Sequence, residues 1–585
     1  MIVRPKRIYR KRIPYGMQNF EDVIKEDCYY VDKTPFIEQI EESNKYFFFI
    51  RPRRFGKTLT LSMLENYYDI NKKDKFEEIF GKLYIGQNPT PEHNTYLIIH
   101  LNFAEVAAGL DDYKDGLDNH CSLVFNFFCD IYAHILPAGI KEGLEKLTDA
   151  VSQLRFLCQK CQEVGKKIYL FIDEYDNFTN MILAHEEHLV RYRNQPHGEG
   201  YLRQFFNTIK GAAGNTLGRV FVTGVSPVTM DDLTSGFNIG TNYSLSPKFN
   251  EMTGFTEEEV REMLDYYGSV LPFNHTTDEL IKVMKPWYDN YCFAIKSYGK
   301  TTMYNSVMVL NFISNYIDNE YDIPDSMVET NIRIDYDKLR MLIRHDKEFA
   351  HDASIIQQLV TQGFVTGTLN ENFPAERIND PDNFLSLLFY FGMVTIDGTY
   401  KGETKFIIPN EVVRDQMYTY LLDTYKENDL VYDRYSKGKL ESKLAYDGQF
   451  KPYFEYIADC LKKYSSQRDK QKGEAFVHGF TLAMTSQNKF YRPISELDND
   501  GGYADIFLSP LCDIYKDMVD SYIIELKYCK SQTTDEQVKK LFEEASAQIS
   551  RYAESDMVRE AVKITKLHKL VVIYRGAEMV ACEEI

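Results

Sequence analysis

Two groups of residues in this 585-residue chain have the types and spacing needed to handle phosphate. The first begins where the apolar run Tyr46–Ile50 enters Arg51-Pro-Arg-Arg-Phe-Gly-Lys-Thr58, after which Leu59, Met63 and Leu64 supply one apolar helix face. A strand, a loop ending in Gly-Lys-Thr and a helix form a setting in which backbone N–H groups surround phosphate oxygens. Gly56 belongs to that cradle. Lys57 would reach the β- and γ-phosphates of a nucleotide, and the Thr58 hydroxyl would ligate Mg²⁺. Arg53 and Arg54 are placed to screen phosphate charge. The usual pattern asks for glycine at position 51, where Arg51 stands, so this loop must turn by another route.

Farther along, the apolar run Ile168–Ile172 ends in Asp173-Glu174. Acids at the end of a buried strand are costly unless they face a cation or a wet cleft. Asp173 therefore reads as a Mg²⁺ ligand and Glu174 as the carboxylate that orients water. A third run, Arg219–Thr223, leads into Gly224-Val-Ser226, and Thr223 is placed to sense a γ-phosphate.

The second group lies near the C-terminus. Gly501-Gly-Tyr-Ala-Asp-Ile-Phe-Leu508 carries Asp505, and the run Tyr522-Ile-Ile-Glu-Leu-Lys527 carries Glu525 and Lys527. Side chains two apart on a strand share a face, so Glu525 and Lys527 point together while Ile524 and Leu526 pack on the other side. Asp505 and Glu525 would hold Mg²⁺, a hard ion that prefers oxygen ligands, and Lys527 would position the attacking water. Upstream, Glu474 opens a helix with Val477 and Phe480 on its face, which makes it an accessory metal ligand. The chemistry of this set is phosphodiester hydrolysis.

Positioning these residues takes more than one domain, and the length suits three or four at roughly 100–200 residues each. From Lys45 to Thr223 strand-like runs alternate with helical patterns, the grammar of a parallel sheet with helices on both faces. Thr256-Glu-Glu-Glu259 reads as a capping box that opens a helix. The stretch from Phe273 to Leu440 is mostly helical, with short strands near Gly392–Ile396 and Lys405–Ile408. A polar stretch around Lys462–Gly473 then precedes a compact unit of helix, strands, helix and strand.

Asp and Glu number 87 against 68 Lys and Arg, a net charge of −19, which argues against indiscriminate coating of nucleic acid. Apolar runs are strand-sized, so no membrane span is expected. Six basic residues among the first twelve read as a solvated arm, because no apolar stretch follows to make a signal peptide. The ten cysteines have no repeating spacing, which suits reduced thiols in a cytoplasm, and Cys158-Gln-Lys-Cys161 reads as helix packing. His197-Gly-Glu199 lacks the Cys pair of a zinc site and reads as loop.

RPRRFGKT, the preceding DKTPFIEQI, FIDEYD, VTGVSPV, WYDNYCF (Trp287–Phe293) and YNS (Tyr304–Ser306) together resemble the bacterial AAA-ATPase-like family over about residues 15–310. The order Glu474, Asp505, Glu525-x-Lys527, Gln548-x-x-x-Tyr552 resembles the PD-(D/E)XK nuclease superfamily over 471–585. The resemblance implies an α/β fold: a P-loop NTPase parallel sheet with helices on both faces, a helical middle region and a small C-terminal restriction-endonuclease-like domain. It divides the chain into 1–255, 256–440 and 441–585. Members of the first family share the Arg-Pro-Arg-Arg-Phe-Gly-Lys loop, so Arg51 resembles a family trait. The implied cofactors are ATP and Mg²⁺. The implied partner is nucleic acid, DNA ahead of RNA, with a second copy or another protein as further partners and no membrane. Against this ATPase and nuclease stands a nucleotide-dependent binding or regulatory protein whose sites no longer turn over, a reading favoured by Arg51 and the acidic balance.

Overall fold

The computed structural model describes residues 10–106, 112–177, 198–228, 239–324, 326–328, 355–374, 377, 380–427, 430–465, 473–486, 488–499, 502–512, 514–552, 558–559, 562 and 564–585. His197, Gly501 and the polar stretch 466–472 lie outside them. The chain divides into two compact units, Met1–Asp322 with Thr366–Asn410, and Ile323–Val365 with Glu411–Ile585.

The first unit is built on Tyr46–Ile50 (β1), Tyr96–Asn102 (β2), Lys167–Asp173 (β3), Leu217–Gly224 (β4) and Thr241–Asn242 (β5), in the order β2-β3-β4-β1-β5. All four pairings are parallel. β3 is buried from Ile168 to Asp173 and β4 throughout, because helices cover both faces of such a sheet, and this explains their unbroken apolar runs. Aromatic rings dominate one core: Phe47 stacks on Phe221 at 5.0 Å and Tyr169 on Phe171 at 4.2 Å. Each such ring, fully buried, contributes roughly 1.5–3 kcal/mol.

Parallel alignment brings the loop after β1, the acids at the end of β3 and the turn after β4 to one edge of the sheet. The expected capping box opens the helix Glu257–Val270, with Glu259 N donating to Thr256 Oγ1 and Thr256 N donating to Glu259 Oε2. The described residues of the middle region are largely helical and include an antiparallel hairpin of Thr395–Tyr400 (β6) and Glu403–Ile407 (β7).

The second unit contains a mixed sheet of Tyr491–Asn499 (β8), Gly502–Pro510 (β9), Asp520–Cys529 (β10), Lys566–Arg575 (β11) and Glu578–Glu584 (β12), ordered β12-β11-β10-β9-β8. Only β10 and β11 run parallel within it, joined through the helix Asp535–Tyr552, since parallel neighbours need a long crossover. The edge strand β12 is an addition to the expected order. Among the described residues no helix is long and apolar enough to cross a membrane.

Candidate functional sites

The loop Arg51–Thr58 turns at Arg54 and Gly56, whose φ values are 70° and 85°. Arg51 does not face the phosphate side. Its guanidinium is buried between the rings of Phe49 and Phe293, 4.2 Å from each centroid. It donates to the carbonyls of Ile50, Ser244 and Phe249 at 2.9, 2.6 and 2.9 Å. Burial pushes its pKa down to about 9. The residue in the glycine's place is thus an anchor beneath the loop, and its bulk never enters the cradle.

The loop is also pinned from outside. Val307 N and Ser306 Oγ donate to the Arg54 carbonyl at 3.3 and 3.2 Å, and Gly254 N donates to the Phe55 carbonyl at 3.0 Å. Gly254 has φ +77°, and a Cβ there would stand 2.9 Å from both the Phe55 ring and the Tyr304 carbonyl, so only glycine fits. Tyr291 and Phe293 meet the Phe55 ring edge to face at 4.9 and 5.3 Å. The motifs WYDNYCF and YNS are therefore the seat and clamp of the loop. Their spacing in sequence gave no sign of this, because the contacts span some 250 residues.

Lys57 is buried and donates from Nζ to the Arg51 and Pro52 carbonyls, both at 3.1 Å. Burial lowers its pKa against the opposing charges of Glu174, Asp173 and Asp176. Thr58 Oγ1 donates to Asp173 Oδ2 at 3.1 Å, so the two expected Mg²⁺ ligands meet. Asp173 is buried, and burial with the Glu174 charge raises its pKa although Lys57 and His100 pull it down. Glu174 sits at φ 49°, a backbone conformation costing on the order of 1–3 kcal/mol in a non-glycine residue. Its amide donates to Asp173 Oδ1 at 2.9 Å.

A cavity of about 370 Å³ is lined by Arg53, Arg54, Gly56, Lys57, Thr58 and Glu174 at one end and by Met17, Tyr30 and Val31 at the other. Thr223 is not among its lining residues; its hydroxyl donates to the Phe49 carbonyl at 2.6 Å and ties β4 to β1. Asp176, buried three residues after Asp173, accepts from Val225 and Ser226 N at 3.2 and 2.7 Å and fixes the turn after β4.

In the second unit Ile506 pairs with Ile524 in antiparallel register, which sets Asp505 across from Glu525. Asp505 Oδ2 accepts from Leu526 N at 2.8 Å. Lys527 Nζ lies 2.6 Å from Glu525 Oε1 and 3.9 Å from Asp505 Oδ2. Glu525 is 1% exposed, and among the described residues its Oε2 has no hydrogen-bond partner. Burial and the Asp505 charge push its pKa up to about 7 against the pull of Lys527. Burial disfavours the Lys527 ammonium, but its bond to Glu525 and the charges of Asp505, Glu525 and Glu474 outweigh this and raise its pKa.

Glu474 is exposed in the first turn of the helix Glu474–Ser486 and reaches this cluster through its charge. His478, one turn later and buried, places Nε2 3.0 Å from the Asp505 carbonyl; its helical spacing from Glu474 was the available clue. Gln548 is exposed on the helix Asp535–Tyr552. Among the described residues no three His, Cys, Asp or Glu are grouped to hold a metal, so the centre has two protein carboxylates. An orphaned carboxylate oxygen beside a second carboxylate fits a hard divalent cation that keeps much of its water. Cys158 and Cys161 are buried free thiols whose pKa burial raises, in keeping with packing.

A nucleotide-sized cavity at the strand ends of a parallel sheet, and an acid pair with lysine on a small mixed sheet, define a P-loop NTPase module and a nuclease-like module. Residues 14–234 match the family described as predicted AAA-ATPase, and residues 472–584 match the PD-(D/E)XK nuclease superfamily. The chain carries a domain of each, in that order. An uncharacterized protein in the vnfD 5' region of Azotobacter chroococcum mcd 1 is 25% identical over 288 residues, 48% of this chain and 49% of that protein. The match spans about half the length of that curated relative. Among solved structures, the Aeropyrum pernix ORC2 protein (ADPNP-ADP complexes) is similar with a TM-score of 0.28 and 10% identity, over 67% of this chain and 93% of that one.

Proposed function

We propose that the chain is an ATP-hydrolysing P-loop module joined to a Mg²⁺-dependent nuclease acting on nucleic acid, DNA ahead of RNA, in the cytoplasm. The modules we assign are 1–255, 256–440 and 441–585. The observation that carries the reading is that each acid meets its expected partner: Asp173 with Thr58 beside Lys57, and Glu525 with Lys527 across from Asp505.

In the first module Lys57 exchanges its two carbonyl bonds for phosphate oxygens, Arg53 and Arg54 face the phosphate charge, and Glu174 orients the attacking water. Thr58 and Asp173 would hold Mg²⁺, and Thr223 would sense the γ-phosphate through a change in its bond to β1. In the second module Asp505 and Glu525 would hold Mg²⁺, with Glu474 as an accessory ligand. Lys527 positions water and offsets charge on the phosphate. At both sites Mg²⁺ would supply positive charge to phosphate oxygens and, in the nuclease, acidify water.

The nucleotide state would control cleavage, and a second copy or another protein would be a further partner. The alternative of a regulator without turnover rests on Arg51 and the acidic balance; the burial of the Arg51 side chain beneath the loop weighs against the first of these grounds. The test is paired. ATP hydrolysis is expected in the wild type and lost in Glu174→Gln, while Mg²⁺-dependent DNA nicking is expected in the wild type and lost in Glu525→Ala. Nicking that survives Glu525→Ala removes the nuclease assignment. ATP binding without any wild-type turnover would support the regulator instead, and nicking indifferent to ATP would remove the control.

A further inference from the structure

The helix Lys57–Tyr68 borders two cavities. Its first turn lines the nucleotide cavity, whereas Ser62, Glu65 and Asn66 line a separate one of about 420 Å³. The N-terminal segment is shared in the same way, with Met17 and Gln18 on the first cavity and Asn19 and Glu21 on the second.

Among the described residues, the second cavity holds buried polar atoms without a hydrogen-bond partner. His120, from the helix Tyr113–Ile131, is 8% exposed and its Nε2 has no hydrogen-bond partner. Asn66 is equally buried; its amide Nδ2 donates to the Ser62 carbonyl at 2.8 Å, but its Oδ1 is unpartnered. An unmet buried group of this kind is destabilising, a cost that a ligand would offset. Burial also lowers the His120 pKa, which disfavours a charged ring there.

The charged lining is mostly acidic. Glu21 is already bonded by Lys25, Lys72 and Lys75 and Asp69 accepts from the Tyr132 hydroxyl, which leaves Glu65, beside His100, and Glu105 as the acids open to a ligand. Glu65 Oε1 stands 2.6 Å from His100 Nδ1, and Glu105 is exposed at the rim. Phe128 lies in the wall and Phe127 at the mouth, the latter 65% exposed. The grouping of acids does not suit a bare metal ion. Carboxylates beside aromatic rings, with acceptors deeper in, suit a cation that carries N–H donors and hydrocarbon.

We propose that this cavity is a second ligand site, for a small organic cation bearing an amine or guanidinium. Its charge is met by Glu65 and Glu105, its N–H groups by Asn66 Oδ1 and His120 Nε2, and its hydrocarbon by Phe127 and Phe128. Occupancy is read by the nucleotide site, because both cavities share the helix that starts at Lys57. His100 and Asn102 add a second link, since β2 lies beside β3 with Asn102 in register with Asp173.

Calorimetric titration of the full chain with agmatine and, separately, spermidine tests this. Saturable binding is expected for at least one, weakened roughly tenfold in Glu105→Gln and in Phe127→Ala, two rim changes that leave the core intact. Nα-acetylarginine amide is titrated alongside; tighter binding than agmatine assigns the cation to a polypeptide side chain, weaker binding to a free amine. Failure of all three probes to bind, or equal binding by both variants and the wild type, overturns the site. Unchanged ATP affinity at saturating probe overturns the coupling, and neither readout depends on turnover at the nucleotide site.

Discussion

At the loop Arg51–Thr58 the buried cation Lys57 bonds two backbone carbonyls, and Asp173 is left to Thr58. On β10 the cation Lys527 lies directly against Glu525, and Asp505 is held by the backbone of Leu526. The first arrangement keeps acid and ammonium apart in a cradle whose carbonyls a bound phosphate can replace. The second joins them, so that each tunes the other's proton. The supports differ accordingly. The cradle depends on clamps from Gly254, Ser306 and Val307, far away in the chain, whereas the acid pair depends on the register of adjacent strands. Long-range clamps are vulnerable to single substitutions outside the site; a strand register is set by many pairs at once.

Six substitutions and a pH series probe this contrast, in falling order of expected effect. Glu525→Ala should reduce Mg²⁺-dependent cleavage by about 10³-fold or more while ATP hydrolysis stays at the wild-type rate; Glu174→Gln should reduce ATP hydrolysis by about 10²–10⁴-fold while cleavage measured without ATP stays at the wild-type rate. Equal damage to both activities from either change would break the separation.

Gly254→Ala should cost about 1–3 kcal/mol in the first unit and weaken nucleotide binding, through its added Cβ and its positive φ. Thermal melting with and without ATP reads this, and cleavage of DNA without ATP should be untouched.

Arg51→Met should raise the KM for ATP by roughly tenfold, with a smaller effect on kcat, since three carbonyls lose their donor beneath the loop. A wild-type KM would show that the anchor is dispensable.

The pH dependence sharpens the other side. With its pKa raised to about 7, Glu525 is protonated in the folded protein below that value and must ionise to hold a metal. Mg²⁺ affinity of the nuclease module should therefore rise with pH up to about 7 and level off above it. Because the folded pKa lies above the unfolded one, the same group contributes stability below about 4.5 that is lost as pH rises through about 7. Lys527→Met should move the affinity midpoint to higher pH, and a midpoint that stays put would deny the pairing.

Thr223→Val removes the 2.6 Å bond to β1 and should cost about 1 kcal/mol, with ATP turnover reduced less than tenfold. Turnover unchanged from the wild type would remove the γ-phosphate role.

Much of the fold is legible in the chain. Continuous apolar runs at Ile168–Ile172 and Arg219–Thr223 mark strands buried on both faces, and Thr256 with Glu259 marks a helix start. Glu525-x-Lys527 is legible because alternation along one strand is a local property. Less of the first site could be read. Thr223 lies at the expected strand end but turns to a neighbouring strand, and Arg51 looks like an obstacle until its side chain is seen beneath the loop. His478 is marked in the sequence only by its one-turn spacing from Glu474, since a histidine on an apolar helix face is ordinary packing until Asp505 comes within reach.

The amino-acid order by itself determines which residues are able to do chemistry and which elements carry them, because loop composition, capping and the two periodicities act over a few residues. Which groups face one another was decided only by tertiary structure. Parallel strands place Thr58 against Asp173, and the packing of later segments places Phe293 under Arg51 and Ser306 over Arg54, contacts whose chain separations leave no local pattern. The free energy that fixes them comes from burying the aromatic core around the sheet, a property of the whole unit and of no short segment.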